Sequence, residues 1–227
     1  MVKLNIGCGP NVFPYPGWIN YDREVGSIRG YFNGLQAGGF RALSSSQAAL
    51  LRYLRDGNEF DLREHDIRDG CPQHEGGSGD AIYLGQVIEH LNPIYETPKL
   101  LLECRRMLKP GGVLRITTPD LDLLIDAYKN GKMDLFTNDQ PGYYQDFDPS
   151  GQLALLMYGA SGPNCTWSNY EGHMFLFTAV SMEGFLRRAG FTNDILFPHS
   201  HHSVNEELAL EVTDAGMSHS FITEAVK

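Results

Sequence analysis

The stretch KLNIGCGPNVFPYPGWINYD, residues 3–22, places a Gly-x-Gly turn between two strand-like runs and ends on an aspartate. Gly7 and Gly9 directly follow the first run, where residues without a Cβ let the backbone turn sharply and let a ligand approach closely. A nicotinamide dinucleotide site would carry a third glycine at the position of Val12 and an acid about 20 residues further on. Asp22 comes sooner than that. The stretch therefore predicts a nucleotide-type ligand and argues against a dinucleotide.

The chain has 227 residues, of which 42% are hydrophobic, and its formal net charge is −10. This length suits one α/β domain with a sizeable core. An acidic protein repels phosphate backbones, so we expect no nucleic-acid partner. Apolar runs stay below the roughly 18 residues of a membrane span, and no secretory leader pattern is present, so we expect a cytoplasmic protein without a membrane partner. The four cysteines form no C-x-x-C pair, which indicates reduced thiols.

Strand-like runs alternate with helical patterns, as in a parallel, doubly wound α/β sheet. Predicted strands lie at 3–7, 18–22, 60–66, 80–87, 113–119, 194–199 and 220–227, and predicted helices at 43–58, 97–112, 120–131, 152–159 and 181–190. Thr97, Asp120 and Ser181 are the residue types expected to cap the helices that they precede. Ligands of such sheets bind outside the carboxyl ends of the strands.

Five motifs in this order resemble those of class I S-adenosylmethionine-dependent methyltransferases, in particular the small bacterial-type group that is methyltransferase type 11-like. They are LNIGCGPN with GWINYD, HDIRDGCP, DAIYLGQVIEHL, LLECRRMLKPGGVLRITTPDL and FLRRAGF. The resemblance implies a single methyltransferase domain over residues 1–227. It also implies a mostly parallel, seven-stranded Rossmann-like sheet whose final strand is antiparallel, and S-adenosylmethionine as the cofactor.

The resemblance also implies which residues hold the cofactor. Asp22 would accept both ribose hydroxyls, which suits the two oxygens of a carboxylate. The other implied contacts are the methionine part with Gly7, Cys8 and Gly9, the adenine with Asp66 and Ile67, and the sulfonium end with Gly85 and Gln86. The acid that is common before the first glycine is Asn5 here, so the contact with the cofactor's amino group is expected to differ. Asp66 could instead be a turn residue.

Residues 132–172 are rich in aromatic side chains and in glycine, proline and asparagine. Long insertions of this kind are usually lids or binding loops, so we expect an inserted cap over the acceptor pocket. Tyr143, Tyr144 and Trp167 are its candidate substrate-binding residues. A packed elaboration or a dimer surface is the alternative, because aromatic residues also dominate interfaces. His173 follows directly and is the candidate catalytic base, since imidazole exchanges protons near neutral pH.

The predicted function is transfer of a methyl group from S-adenosylmethionine to a small-molecule, sugar-like or lipid-linked acceptor. A non-catalytic S-adenosylmethionine-binding protein is the first alternative, and a nicotinamide-dependent oxidoreductase is the second. Glu89 and His90 are expected to shape the cofactor loop. No metal site is predicted, because adjacent histidines such as those at 199–202 rarely face one ion together.

Overall fold

Seven strands form one sheet in the order β3-β2-β1-β4-β5-β7-β6 in the computed structural model of the chain. The structure describes residues 1–9, 11–36, 54, 59–137, 144–159, 172–199, 202–205, 208 and 219–227. The strands are β1 (Lys3–Ile6), β2 (Trp18–Asp22), β3 (Asp61–Glu64), β4 (Gly79–Gly85), β5 (Leu108–Pro119), β6 (Ile195–Leu196) and β7 (Ser220–Val226). Each predicted strand is present, with shorter bounds at the weaker runs.

The first five strands run parallel to one another, and β7 runs antiparallel between β5 and β6. The prediction of a mostly parallel sheet with an antiparallel final strand is therefore confirmed. Because β1 lies between β2 and β4, the chain switches direction across the sheet beside β1. Ligands of open α/β sheets bind outside the carboxyl ends of the strands at such a switch.

Six helices lie in the described part of the chain: α1 (Val25–Gln36), α2 (Glu96–Met107), α3 (Leu121–Lys129), α4 (Asp134–Thr137), α5 (Pro149–Tyr158) and α6 (Ala179–Arg188). Short 3₁₀ turns occupy Ile67–Asp69 and Ile88–His90. The helix predicted at 43–58 lies outside the described residues except for Leu54. None of the helices in these described ranges is long and apolar enough to cross a membrane.

One of the three predicted caps is confirmed. Asp120 caps α3 and accepts hydrogen bonds from the backbone N–H groups of Asp122 and Leu123. Thr97 is not a cap, because α2 starts one residue earlier and buries Thr97 in its first turn. Ser181 is likewise the third residue of α6, where it forms a reciprocal capping box with Thr178.

The helix α1 is absent from the sequence prediction. Its sequence, VGSIRGYFNGLQ, contains three glycines, each of which disfavours a helix interior by about 1 kcal/mol relative to alanine. Ile28 and Phe32 are one turn apart and pack with Val12 and Leu62 in a buried cluster at the β2–β3 end of the sheet. This burial offsets the low intrinsic propensity of the segment.

The described part of the segment 132–172 packs against α3. Tyr144 is 3% exposed and belongs to a buried cluster with Leu124, Phe136 and Leu156. Asp148 caps α5, because its side chain accepts a hydrogen bond from the N–H of Gly151. This part of the segment is a packed elaboration with its own small core, and its role as a cap over an acceptor remains a prediction.

A buried ion pair joins the neighbouring strands β5 and β7. Arg115 and Glu224 are both fully buried, and the guanidinium Nη1 donates to the Glu224 Oε1 atom over 2.7 Å. The second carboxylate oxygen of Glu224 accepts the N–H of Val204 at 2.9 Å. Removing one partner of such a pair strongly destabilises a protein, because the remaining buried charge is left uncompensated.

Candidate cofactor and acceptor site

A cleft of about 730 Å³ opens at the carboxyl ends of β1 to β4. It lies at the switch in strand order, where the topology predicts a ligand site. Its lining comes from the ends of these strands, from the turn after β4 and from the chain after residue 171. The lining residues are Gly7, Asp22, Arg23, Glu24, His65, Asp66, Ile67, Arg68, Gln86, Val87, His90, Leu91, Asn92, Glu96, Gly172, His173 and Met174.

The described residues of the link between β1 and β2 form no helix. Two buried asparagines hold this link in place. The Asn5 amide donates to Asn20 Oδ1 at 2.9 Å and to the carbonyl of Asn11 at 2.8 Å. Asn20 exchanges two hydrogen bonds with the backbone of Phe13. Asn5 is thus engaged beneath the loop and does not line the cleft, so the cofactor's amino group must find another contact.

Gly7 and Gly9 both adopt positive φ, at 69° and 49°. A Cβ on Gly7 would lie 2.7 Å from a methyl group of Val87, whereas a Cβ on Gly9 would meet nothing within 4 Å. The closeness of Val87 therefore requires a glycine at position 7, and the positive φ angles favour glycine at both positions. Cys8 between them is buried, and its pKa is raised by burial and, less strongly, by the charge of Asp22. Its thiol is a packing group, so only its backbone is available to a ligand.

Asp22 ends β2 with its carboxylate pointing along the loop. Oδ2 accepts the N–H of Gly9 at 2.8 Å, and Oδ1 accepts the N–H of Glu24 at 2.9 Å. Each carboxylate oxygen can accept a second hydrogen bond. Asp22 therefore orders the glycine loop and still offers one acceptor site on each oxygen toward the cleft, as two ribose hydroxyls would require.

Asp66 and Ile67 follow β3 and line the same cleft. Both oxygens of Asp66 are engaged by the Arg68 guanidinium, and Oδ1 also accepts the Arg68 N–H at 2.9 Å. The side-chain hydrogen bond from Arg68 is the main reason that the pKa of Asp66 is lowered to about 2. Asp66 is a turn cap in this structure, so an adenine amino group would have to share it with Arg68.

Gly85 ends β4, and Gln86 follows it. A Cβ on Gly85 would lie 2.5 Å from the ring of Tyr83, so this glycine is required by packing within its own strand. Gln86 has a φ of 57° and is the one non-glycine residue with positive φ among the described residues. Its side-chain amide donates to the hydroxyl of Ser220 at 3.0 Å. Strained backbone of this kind clusters at ligand sites.

The far end of the cleft contains two histidines. Nδ1 of His90 donates to the Gly172 carbonyl at 3.3 Å, and Nδ1 of His173 donates to the Met157 carbonyl at 3.1 Å. The rings meet edge to face with centroids 5.1 Å apart. Burial, and then the charge of His90, lowers the pKa of His173 to about 4, and burial also lowers the pKa of His90. Both imidazoles are therefore neutral at pH 7.

Glu89 lies behind these histidines and is fully buried. The Thr118 hydroxyl donates to its Oε2 over 3.2 Å, and burial raises the pKa of Glu89 to about 8. Its backbone carbonyl accepts the N–H groups of Met174 and Phe175, at 2.7 and 3.2 Å. The turn after β4 thereby positions the chain that carries His173. The expectation that Glu89 and His90 shape the cofactor loop stays a prediction.

The structure brings six of the predicted site residues to the cleft: Gly7, Asp22, Asp66, Ile67, Gln86 and His173. Cys8, Gly9 and Gly85 flank it without lining it, and Tyr144 is buried in the cluster on α3. Tyr143 and Trp167 lie outside the described residues. Sequence reasoning missed Val87, although the absent side chain at Gly7 was a signal that some neighbouring group comes close.

The groups that line the cleft fit the parts of S-adenosylmethionine. The unused acceptor sites of Asp22, the backbone-lined approach over Gly7 and the apolar face of Ile67 match a ribose, a methionine chain and an adenine ring in turn. The volume is within the ~300–1,000 Å³ range of ligand pockets.

Comparison with known proteins gives the class. The sequence profile of the methyltransferase domain family matches residues 19–195, more than half of the chain, so the chain belongs to this family. With the sheet order, this match confirms the predicted class: the protein is a class I, S-adenosylmethionine-dependent methyltransferase. The nicotinamide alternative has no support from the family.

Solved structures share the fold. An S-adenosylmethionine-dependent methyltransferase from Archaeoglobus fulgidus is 15% identical with a TM-score of 0.51, and the match covers 99% of this chain and 85% of that chain. A protein from Pyrococcus horikoshii OT3 is 14% identical with a TM-score of 0.50, covering 99% and 80%. Likeness at this identity concerns the fold alone. No curated protein matches the sequence.

Proposed function

We propose that the chain transfers a methyl group from S-adenosylmethionine, held between Asp22 and Gln86, to a small-molecule, sugar-like or lipid-linked acceptor beside His90 and His173. The observation that carries the proposal is the continuity of the cleft. A single cavity joins the residues suited to the cofactor with a second set from the turn after β4 and from residues 172–174. Two ligands could therefore meet inside it.

The cofactor supplies an activated methyl group, so the protein's work is mainly positioning. The glycine loop and Asp22 would orient the donor, and the walls of the cleft would restrict the acceptor to one approach. Holding two reactants in a near-attack geometry can contribute about 7–11 kcal/mol. His173 faces the acceptor end with a neutral ring, and its service as a proton acceptor remains a prediction.

The acceptor end offers mixed contacts. Leu91 and Met174 are apolar, and Met174 is 57% exposed, while Asn92 and His90 offer polar groups. Ligand pockets combine apolar walls with a few placed polar groups in this way. The acidic net charge of the chain further favours small acceptors over nucleic acid.

A screen with methyl-labelled S-adenosylmethionine tests the proposal. Phenols, amines, sugars and lipid-linked sugars would be offered in separate pools to the wild-type chain and to the Asp22→Ala variant. We expect label in one pool with the wild-type chain, reduced by about a hundredfold in the variant at subsaturating cofactor. Firm binding of S-adenosylhomocysteine without transfer to any pool would support the alternative of a non-catalytic binding protein.

A further inference from the structure

The buried Glu89 carboxylate carries an oxygen that lacks a hydrogen-bond partner. Oε2 accepts the Thr118 hydroxyl, but Oε1 has no partner among the described residues. Leaving a buried polar atom unpaired costs about 1–3 kcal/mol, and more for a charged group. Buried carboxylates are usually paired, hydrogen-bonded or bound to a metal. This oxygen therefore requires an explanation beyond packing.

Two imidazoles lie on the same side as that oxygen. Nε2 of His90 is 4.0 Å from Glu89 Oε1, and one ring nitrogen of His173 completes a group whose three atoms all lie within 4.8 Å of one another. The strand end at β4 supplies Glu89 and His90, and residue 173 approaches from the chain that Glu89 anchors through its backbone carbonyl. The fold therefore brings the three side chains together from two segments of the chain.

The tautomers of both histidines are set by carbonyl groups. The Nδ1–H of His90 faces Gly172 O and the Nδ1–H of His173 faces Met157 O, which leaves the lone pair of each ring on Nε2. Histidines that bind metals almost always donate their other ring N–H to a carbonyl, a carboxylate or a water. Both rings here make such a contact to a carbonyl group.

We propose that Glu89, His90 and His173 bind one divalent transition-metal cation, with Zn²⁺ as the best fit. Two imidazoles and a carboxylate suit Zn²⁺, Mn²⁺ or Fe²⁺, whereas Mg²⁺ and Ca²⁺ prefer oxygen-only sites. Three protein ligands leave a coordination position free. Since His90 and His173 line the cleft, that position faces the acceptor end.

The role that we infer for this cation rests on the proposed function. A cation in the cluster would touch an acceptor hydroxyl or an adjacent water and lower its pKa, as bound Zn²⁺ lowers that of water to about 7. An acceptor with an oxygen or a pair of oxygens beside the reacting position would then be preferred. Acceptors that offer only an amine or a carbon nucleophile would gain less from the site.

Metal binding can be measured without cofactor or acceptor. Chelator-treated protein would be titrated calorimetrically with ZnCl₂, and Co²⁺ would report the ligand field through its visible absorption. We expect one equivalent bound by the wild-type chain, with affinity lowered about a hundredfold or more in Glu89→Gln and in His90→Gln, since even outer partners of metal ligands contribute 10–100-fold. His90 is half-exposed, so its variant tests the proposal even if Glu89→Gln does not fold.

A matched control replaces the three histidines at positions 199, 201 and 202 together by asparagine, since histidines adjacent in sequence can also bind zinc. This control should bind one equivalent with unchanged affinity. The proposal is overturned if the wild-type chain binds no zinc, or if only the replacement of these three histidines removes binding. Methyl transfer by a chain that binds no zinc would refute this inference and leave the proposed function standing, whereas zinc binding without any transfer would do the reverse.

Discussion

Replacing Asp22 by alanine separates cofactor binding from folding. Each carboxylate oxygen holds one backbone N–H, from Gly9 and from Glu24, and has one acceptor site free. Two ribose hydroxyls donating to those sites would contribute about 1.5–3 kcal/mol each, because the acceptor is charged. The sum of ~3–6 kcal/mol corresponds to an affinity loss of roughly a hundredfold to ten-thousandfold.

The same variant also frees the two backbone N–H groups. Asp22 itself is only partly buried, so water can replace the carboxylate, and we expect a loss of about 1–2 kcal/mol in the free energy of unfolding. For a chain of this length that is a decrease of about 2–8 °C in Tm. The fold should survive, and circular dichroism would verify this before any titration.

Calorimetric titration with S-adenosylhomocysteine is the assay, and Glu64→Ala is the matched control. Glu64 lies opposite Asp22 on the neighbouring strand and is exposed outside the cleft lining. Its removal changes the net charge equally and should change Kd less than about twofold, since its exposed side chain does not line the cleft. A folded Asp22→Ala variant with wild-type Kd would show that the ribose is bound elsewhere.

Three further outcomes follow from the structure. Gly7→Ala should lower cofactor affinity, and in denaturant unfolding it should lower stability more than Gly9→Ala does. Either alanine must adopt a positive φ, which costs ~1–2 kcal/mol, but only the Cβ at position 7 also clashes with a neighbour. Equal losses of stability in the two variants would contradict this. Glu224→Gln should lower Tm by about 6–20 °C by stranding the charge of Arg115, and a change below about 2 °C in a thermal melt would contradict it. His173→Ala should slow methyl transfer about a hundredfold with Kd for S-adenosylhomocysteine unchanged; unaltered turnover would make His173 a structural residue.

The sheet and the near half of the site could be predicted from sequence because their signals are local. Gly7, Gly9 and Asp22 lie within one short stretch, and the strand ends follow from apolar runs bounded by glycine and aspartate. By contrast, α1 is rich in glycine and forms because Ile28 and Phe32 find a buried cluster, which no local propensity reports.

The far half of the site depends on contacts between distant segments. Glu89 and His90 precede His173 by more than eighty positions. The backbone hydrogen bonds of the Glu89 carbonyl and the contact of His90 with Gly172 bring these segments together. The occupation of Asp66 by Arg68 and the positive φ of Gln86 are likewise invisible in the residue types. The residue type of Tyr144 suggests a substrate contact, but in the structure its ring packs in the buried cluster on α3.

The central claim is that one cleft holds the cofactor at Asp22 and presents its reacting end to His90 and His173. A crystal structure of the chain with S-adenosylhomocysteine tests it most directly, through the distances from the ligand to these residues. We expect both ribose hydroxyls within about 2.6–3.0 Å of the Asp22 oxygens, and the sulfur on the Gln86 side of the cleft facing the two histidines. A ribose away from Asp22, or a sulfur directed away from the histidines, would contradict the account.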